Sequence, residues 1–226
     1  MIHPSVLNTL RCQQTLQPLD DHERGLYSEA ADLVYPVRDG LVSMGYPEQD
    51  HGFMELTMEE ERDWQTTNVE RDLDFLKQSA PGAVQLVNLL NEVVPLAPSA
   101  TSLELGAGSG WVSWLFAEAG FDTWICDFEA NSLSLGWNFR HPHLGPGKRI
   151  VSDVTLLPFA DATFDLVICK EIVHHVEDKR RLLAEANRVL KPGGVIVDDG
   201  AREKPVGGLS LLAPPRPSFE PRRRLD

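Results

Sequence analysis

Three glycines at alternate positions, Gly106, Gly108 and Gly110, follow directly on a short run with one acid in it, Ser102-Leu103-Glu104-Leu105. Glycine lets the backbone turn sharply and lets a ligand come close, because no Cβ stands in the way. The run reads as a strand and Trp111 to Ala119 as a helix, so the segment is the strand-turn-helix of a nucleotide-type cofactor site. The dinucleotide pattern G-x-G-x-x-G would need its third glycine at position 111, where this chain has tryptophan. Two acids lie further on, each at the end of an apolar run. Asp127 follows Asp122–Cys126 and can accept from both hydroxyls of a ribose, with Glu129 as its rival. Asp153 follows Arg149–Ser152. After Phe164–Cys169 comes Lys170-Glu171-Ile172-Val173-His174-His175. Ligands of open α/β sheets bind beyond the carboxyl ends of the strands, so this loop is expected to face a reacting group. Adjacent histidines do not face one way on a helix, so a metal pair is not expected there.

The ordered set resembles the class I S-adenosylmethionine-dependent methyltransferases. It comprises Leu103-Glu104-Leu105-Gly106-Ala107-Gly108-Ser109-Gly110, Asp127, Ser152-Asp153-Val154 with Leu157-Pro158-Phe159, Phe164-Asp165-Leu166-Val167, His174-His175 and Leu190-Lys191-Pro192-Gly193-Gly194. The resemblance covers roughly residues 83–200. It implies S-adenosylmethionine as cofactor and direct displacement of its methyl group onto a small-molecule acceptor, with no metal. It places Glu104 near the cofactor's ammonium group and Gly106, Ala107, Gly108 and Gly110 in the turn beneath its amino-acid and ribose portions. That turn serves close approach and amide hydrogen bonding. Asp127 becomes the ribose acceptor, and Phe128 packs on the adenine or faces the core. Asp153 accepts from the adenine amino group, the Val154 amide reads a ring nitrogen, and Lys170 touches the cofactor. No catalytic residue is assigned; His175 is a candidate general base, against a structural role.

The elements that must position these residues alternate from Thr101 onward. Strands are expected at 102–105, 122–126, 149–152, 164–169 and 195–197. Helices are expected at 111–119, at 130–139, and from a cap at Asp178 to Leu190, with Leu182, Leu183, Ala186, Val189 and Leu190 on one face and Pro192-Gly193-Gly194 as the stop. Alternating βα units imply an α/β, Rossmann-like parallel sheet covered on both faces, with the first strand near its middle. The family's last antiparallel strands are expected to be missing, since 209–212 is too short to supply both. Residues 55–80 and 83–94 read as helical. The domain reading is 1–50 a small unit, 51–98 a helical connector or lid, 99–200 the cofactor-binding core, and 201–226 a Pro/Arg-rich tail.

The first unit reads as strand-poor, except for a strand, a turn at Asp39-Gly40 and a second strand across Leu33 to Met44. That stretch resembles the Y-P-[IV]-x-D-G-[IV] end of a short zinc-ribbon family, some of whose members activate methyltransferases as partner subunits. The metal half is degenerate. Cys12-Gln13-Gln14-Thr15 stands where a C-x-x-C is expected, and one cysteine cannot build a tetrahedral zinc site. A metal-free unit with a structural or docking role follows, and a protein partner or a homodimer stays open.

The net charge is -13, and residues 1–80 hold 16 Asp/Glu against 6 Lys/Arg, which argues against a nucleic-acid substrate. No segment approaches a membrane span, and three scattered cysteines suit a reducing, cytoplasmic setting. Two other functions compete with methyl transfer. One is a truncated, weak or inactive methyltransferase-like module that binds cofactor or a partner. The other is an NAD-dependent dehydrogenase, which Trp111 disfavours.

Overall fold

The computed structural model describes residues 3–38, 40–44, 99–108, 110–128, 148–198 and 210–212. The helices expected at 55–80, 83–94 and 130–139, and most of the 201–226 tail, lie outside the described residues.

The core strands form where apolar residues run nearly unbroken. They are β5 (Thr101–Leu105), β6 (Asp122–Asp127), β7 (Arg149–Val151), β8 (Phe164–Cys169) and β9 (Leu190–Asp198). All five pair in parallel, and β5 sits between β6 and β8, as the crossover rule requires. Ser102, Leu103, Glu104 and Leu105 are all buried, so this strand is covered on both faces. Helix α2 (Trp111–Glu118) follows the glycine turn and buries Val112, Phe116 and Ala117.

Asp178 caps the next helix as expected, accepting from the Arg181 amide at 2.9 Å. In this helix, α3 (Lys179–Val189), Leu182, Ala186 and Val189 form the buried stripe. The helix ends within a residue of the expected position. The chain enters β9 at Leu190, and Pro192-Gly193-Gly194 lies within that strand rather than ahead of it.

The segment expected to be too short for both antiparallel strands supplies one among the described residues. Ser210–Leu212 forms β10, antiparallel to β9 with Leu211 opposite Val197.

The N-terminal unit is richer in strands than its sequence suggests. After the short helix α1 (Pro4–Thr9) come β1 (Asp20–His22), β2 (Gly25–Ser28), β3 (Leu33–Arg38) and β4 (Leu41–Ser43). These join the main sheet, because β4 pairs in parallel with β7, Leu41 opposite Arg149 and Ser43 opposite Val151. The strand order is β1-β2-β3-β4-β7-β6-β5-β8-β9-β10. The edge strand β7 would otherwise offer unpaired backbone groups, and β4 covers them.

One apolar core runs through both parts. Val6, Leu10, Cys12, Leu26 and Tyr35 belong to the same cluster as Leu103, Trp124, Phe159 and Phe164. Phe159 stands edge-on to Phe164 and Trp124 at 5.0 and 5.9 Å between ring centroids. The 157–161 segment between the two parts is held by Arg188 of α3. Its guanidinium donates to the carbonyls of Leu157 (2.8 Å) and Phe159 (2.7 Å) and to the carboxylates of Glu185 (2.7 Å) and Asp161 (2.9 Å). Arg188→Ala would leave a partly buried acid and two carbonyls without this donor. The expected loss is about 2 kcal/mol, discounted for the side chain's partial exposure and read by urea denaturation.

Candidate functional site

The glycine turn connects β5 to α2, and its described amides point inward. The Gly106 and Ala107 amides donate to the Cys126 carbonyl at 2.9 and 3.2 Å, and Gly110 donates to Ala107 at 2.7 Å. The Gly108 amide donates to Asp127 Oδ2 at 2.7 Å. These described amides therefore bond within the chain. Gly108 has φ +51°, and a Cβ built on it meets nothing within 4 Å. Gly106, at φ +67°, is tightly covered instead, and a Cβ there would lie 2.5 Å from Ile172 Cδ1. Ile172 thereby packs the loop after β8 onto the glycine turn, a contact the sequence reading missed.

Glu104 is 3% exposed and lies beneath the start of α2. It accepts from the Ser113 amide at 2.8 Å and from the Ser113 hydroxyl. Burial pushes its carboxyl up to about 7 against the lowering effect of those two bonds, with Asp127 raising it further and Lys170 opposing. Ser113 was not singled out from the sequence. A hydroxyl in the first turn after the glycines, within reach of a buried acid, was the available signal.

Asp127 ends β6 and is buried, while Phe128 beside it is 76% exposed. Of the two roles open to Phe128, facing the core is overturned. Asp153 is exposed and closes its own turn, accepting from the Thr155 amide (2.7 Å) and hydroxyl (2.8 Å). Val154 buries its side chain. Asp127 and the Ser152-Asp153-Val154 turn are neighbours, since β6 and β7 pair Asp127 with Val151 and the Ser152 amide donates to the Asp127 carbonyl at 2.9 Å. Gly108, Asp127 and Asp153 therefore all lie beyond the carboxyl ends of adjacent strands, the position where open α/β sheets bind ligands.

Lys170 and Glu171 follow β8 at that same end. Glu171 has φ +53°, a left-handed conformation that a non-glycine residue seldom adopts. Its Oε2 is 3.9 Å from His174 Nδ1. His174 and His175 are exposed and sit in a turn, not a helix, with ring centroids 4.0 Å apart. The helix-based reason for keeping the two rings apart therefore does not apply. Among the described residues no group of three or more His, Cys, Asp or Glu could hold a metal ion.

Residues 103–198 match the family model described as a methyltransferase domain. This segment is similar to that family. Residues 3–40 match the model of Trm112p-like proteins, so the domain carries a Trm112p-like unit ahead of it in the same chain. Among curated relatives, a demethylmenaquinone methyltransferase from Renibacterium salmoninarum is 37% identical over 109 residues, 48% of this chain and 44% of that protein. A dimethylglycine N-methyltransferase from Parasynechococcus marenigrum is 32% identical over 117 residues, 48% of this chain and 40% of the relative. The chain thus spans less than half the length of these relatives. A solved Methanococcus maripaludis protein, described as a candidate S-adenosyl-L-methionine-dependent methyltransferase, aligns over 57% of this chain and 60% of its own, with 25% identity and a TM-score of 0.48. Among the described residues no helix of the methyltransferase domain or of the N-terminal unit is long and apolar enough to cross a membrane.

Proposed function

We propose that this chain binds S-adenosylmethionine at the carboxyl ends of β5, β6 and β7 and transfers its methyl group to a small-molecule acceptor. One observation carries the reading. The open side of Gly108, the buried carboxylate of Asp127 and the Asp153 turn lie side by side at one end of the sheet. These residues fit the cofactor. A space that a Cβ would enter admits its backbone-like portion, a buried acid suits two ribose hydroxyls, and Phe128 offers an exposed ring to a planar base. Asp153 and the Val154 amide address the adenine edge, and Glu104 and Lys170 the amino-acid end.

When bound, the cofactor supplies an activated methyl group on a sulfonium. The chain's own task is then to bind, orient and exclude water. The loop 170–175, pinned to the glycine turn through Ile172, is placed to face the acceptor, and Glu171 and His174 are the groups there that could hold a proton. His175, packed on His174, serves as its support rather than as the base. The two relatives named above carry small-molecule acceptors of different chemistry in their names, which supports the acceptor class and leaves its identity to experiment. Three buried thiols suit a reducing, cytoplasmic setting.

The reading as an inactive docking module is less well supported. The N-terminal unit already pairs with its own methyltransferase domain through β4 and β7, so it has a use within the chain. Calorimetric titration with S-adenosylhomocysteine is expected to show one site with micromolar-range affinity. No heat and no thermal stabilisation at millimolar ligand would remove the cofactor reading. Turnover is then sought by radiolabelled methyl transfer across hydroxyl, amine and carbon-acid acceptors.

A further inference from the structure

We infer that Gln13, in the N-terminal unit, is a positioning residue for the adenine side of the cofactor site. This rests on the cofactor reading above. Gln13 is 9% exposed and reaches across to the methyltransferase domain. Its Nε2 donates to Ser152 Oγ at 2.6 Å and to the Leu156 carbonyl at 2.7 Å, partners 139 and 143 residues away in sequence. The Leu156 carbonyl can only accept, so the atom facing it must be the amide nitrogen. Both of that nitrogen's protons are thereby engaged.

The two partners bracket the turn that carries Asp153 and Val154. Within it, the Leu156 amide donates to the Asp153 carbonyl at 3.0 Å, and Asp153 Oδ1 receives the Thr155 amide and hydroxyl. From α3, Arg181 Nε donates to the Thr155 carbonyl at 2.9 Å and Glu185 accepts the Leu157 amide at 2.9 Å. Helix α3 therefore holds one side of the turn. The other side is held by the N-terminal unit, through Gln13 and through main-chain bonds from Arg11 to Pro158 (2.9 Å) and from Ala160 to Thr9 (3.1 Å). Gln13 differs from those main-chain bonds in what it grips. They hold the 158–160 segment beyond the turn, whereas Gln13 holds both ends of the adenine turn itself.

The base of Gln13 is stiff. It sits in the tight loop after Cys12, where the Leu16 amide donates to the Cys12 carbonyl at 2.8 Å and the Cys12 amide to the Gln17 carbonyl at 2.9 Å. Cys12 is buried with its Sγ 3.2 Å from the Tyr35 hydroxyl. This loop carries the Gln13 carboxamide to the neighbouring domain.

The test compares the whole chain with Gln13→Met and Gln13→Glu, and with Ser152→Ala as a milder variant that removes one partner at little volume. Titration with S-adenosylhomocysteine and with adenosine is run well below each variant's melting temperature. Both Gln13 variants are expected to weaken both ligands by the same factor, about three- to tenfold. Combined with Asp153→Ala, Gln13→Met should add less than its separate effect, because both act through one turn. A residue serving stability alone would lower the melting temperature and leave both affinities unchanged, and that result overturns the proposal while the cofactor reading stands. Full additivity with Asp153→Ala overturns it as well. If the unaltered chain binds neither ligand, the cofactor reading itself fails and this inference falls with it.

Discussion

Replacing Asp127 with alanine is expected to weaken S-adenosylhomocysteine binding by about a hundredfold or more. The carboxylate is buried at the end of β6, where a ribose diol would meet it. Each hydrogen bond from a hydroxyl to a charged acceptor is worth about 1.5–3 kcal/mol, and the proposal gives Asp127 two. The alanine variant also removes the acceptor of the Gly108 amide, 2.7 Å away, and so loosens the turn on which the ligand lies. Asp127→Asn separates the two effects. Its amide oxygen still accepts from Gly108, but the charge and one acceptor are gone, so a loss of about tenfold is expected. Calorimetry gives the affinities, and thermal melting of the free variants shows whether the fold survives. An alanine variant that binds within about threefold of the parent would remove Asp127 from the ribose role.

The central strands were legible because both of their faces are buried. A strand such as Phe164–Cys169 must be apolar almost throughout, and that run announces itself in a sequence. The glycine turn was legible for the same local reason, since residue types at adjacent positions dictate the backbone. The N-terminal strands were harder. Asp20-Asp21-His22 forms the outermost strand of the sheet and carries no apolar residue, so nothing in its composition marks it. Charged residues on an edge discourage further pairing, which is a property of the assembled sheet and not of the segment. The β4–β7 pairing, the Gln13 contacts and the Arg188 clamp were illegible for a related reason. Each joins residues far apart in sequence, and none alters the local pattern at either end. The helix ends at Val189, close to the stop expected from Pro192-Gly193-Gly194, and those three residues fall in the irregularity between the Leu190 and Val195 pairings with β8. In the site, the residues legible from the sequence are those expected to face a ligand. Those missed, Ser113, Ile172 and Gln13, hold the first set in place.

Glu104 should make both stability and cofactor affinity depend on pH, in opposite directions. Its carboxyl titrates near 4.5 when free and at about 7 in the folded chain, mainly because it is buried. The folded state therefore keeps a proton that the unfolded chain releases between these values. Stability from this group is fully present below about 4.5, declines as pH rises to about 7 and is level above that. The fall amounts to about 3 kcal/mol. Glu104→Gln has no proton to lose, so the part of the stability–pH slope that separates parent from variant should vanish in it. Binding runs the other way. An ammonium group brought beside Glu104 favours the carboxylate, so the ligand must drive off the proton wherever the free protein still holds it. Raising the pH from 6 to 8 is expected to tighten S-adenosylhomocysteine by about tenfold in the parent and much less in Glu104→Gln. Titration in two buffers of different ionisation enthalpy gives an independent check, because the parent should release protons on binding near pH 6 and the glutamine variant should not. Equal pH dependence in parent and variant would place the cofactor's ammonium group away from Glu104. The acid would then serve only to tie β5 to the start of α2 through Ser113.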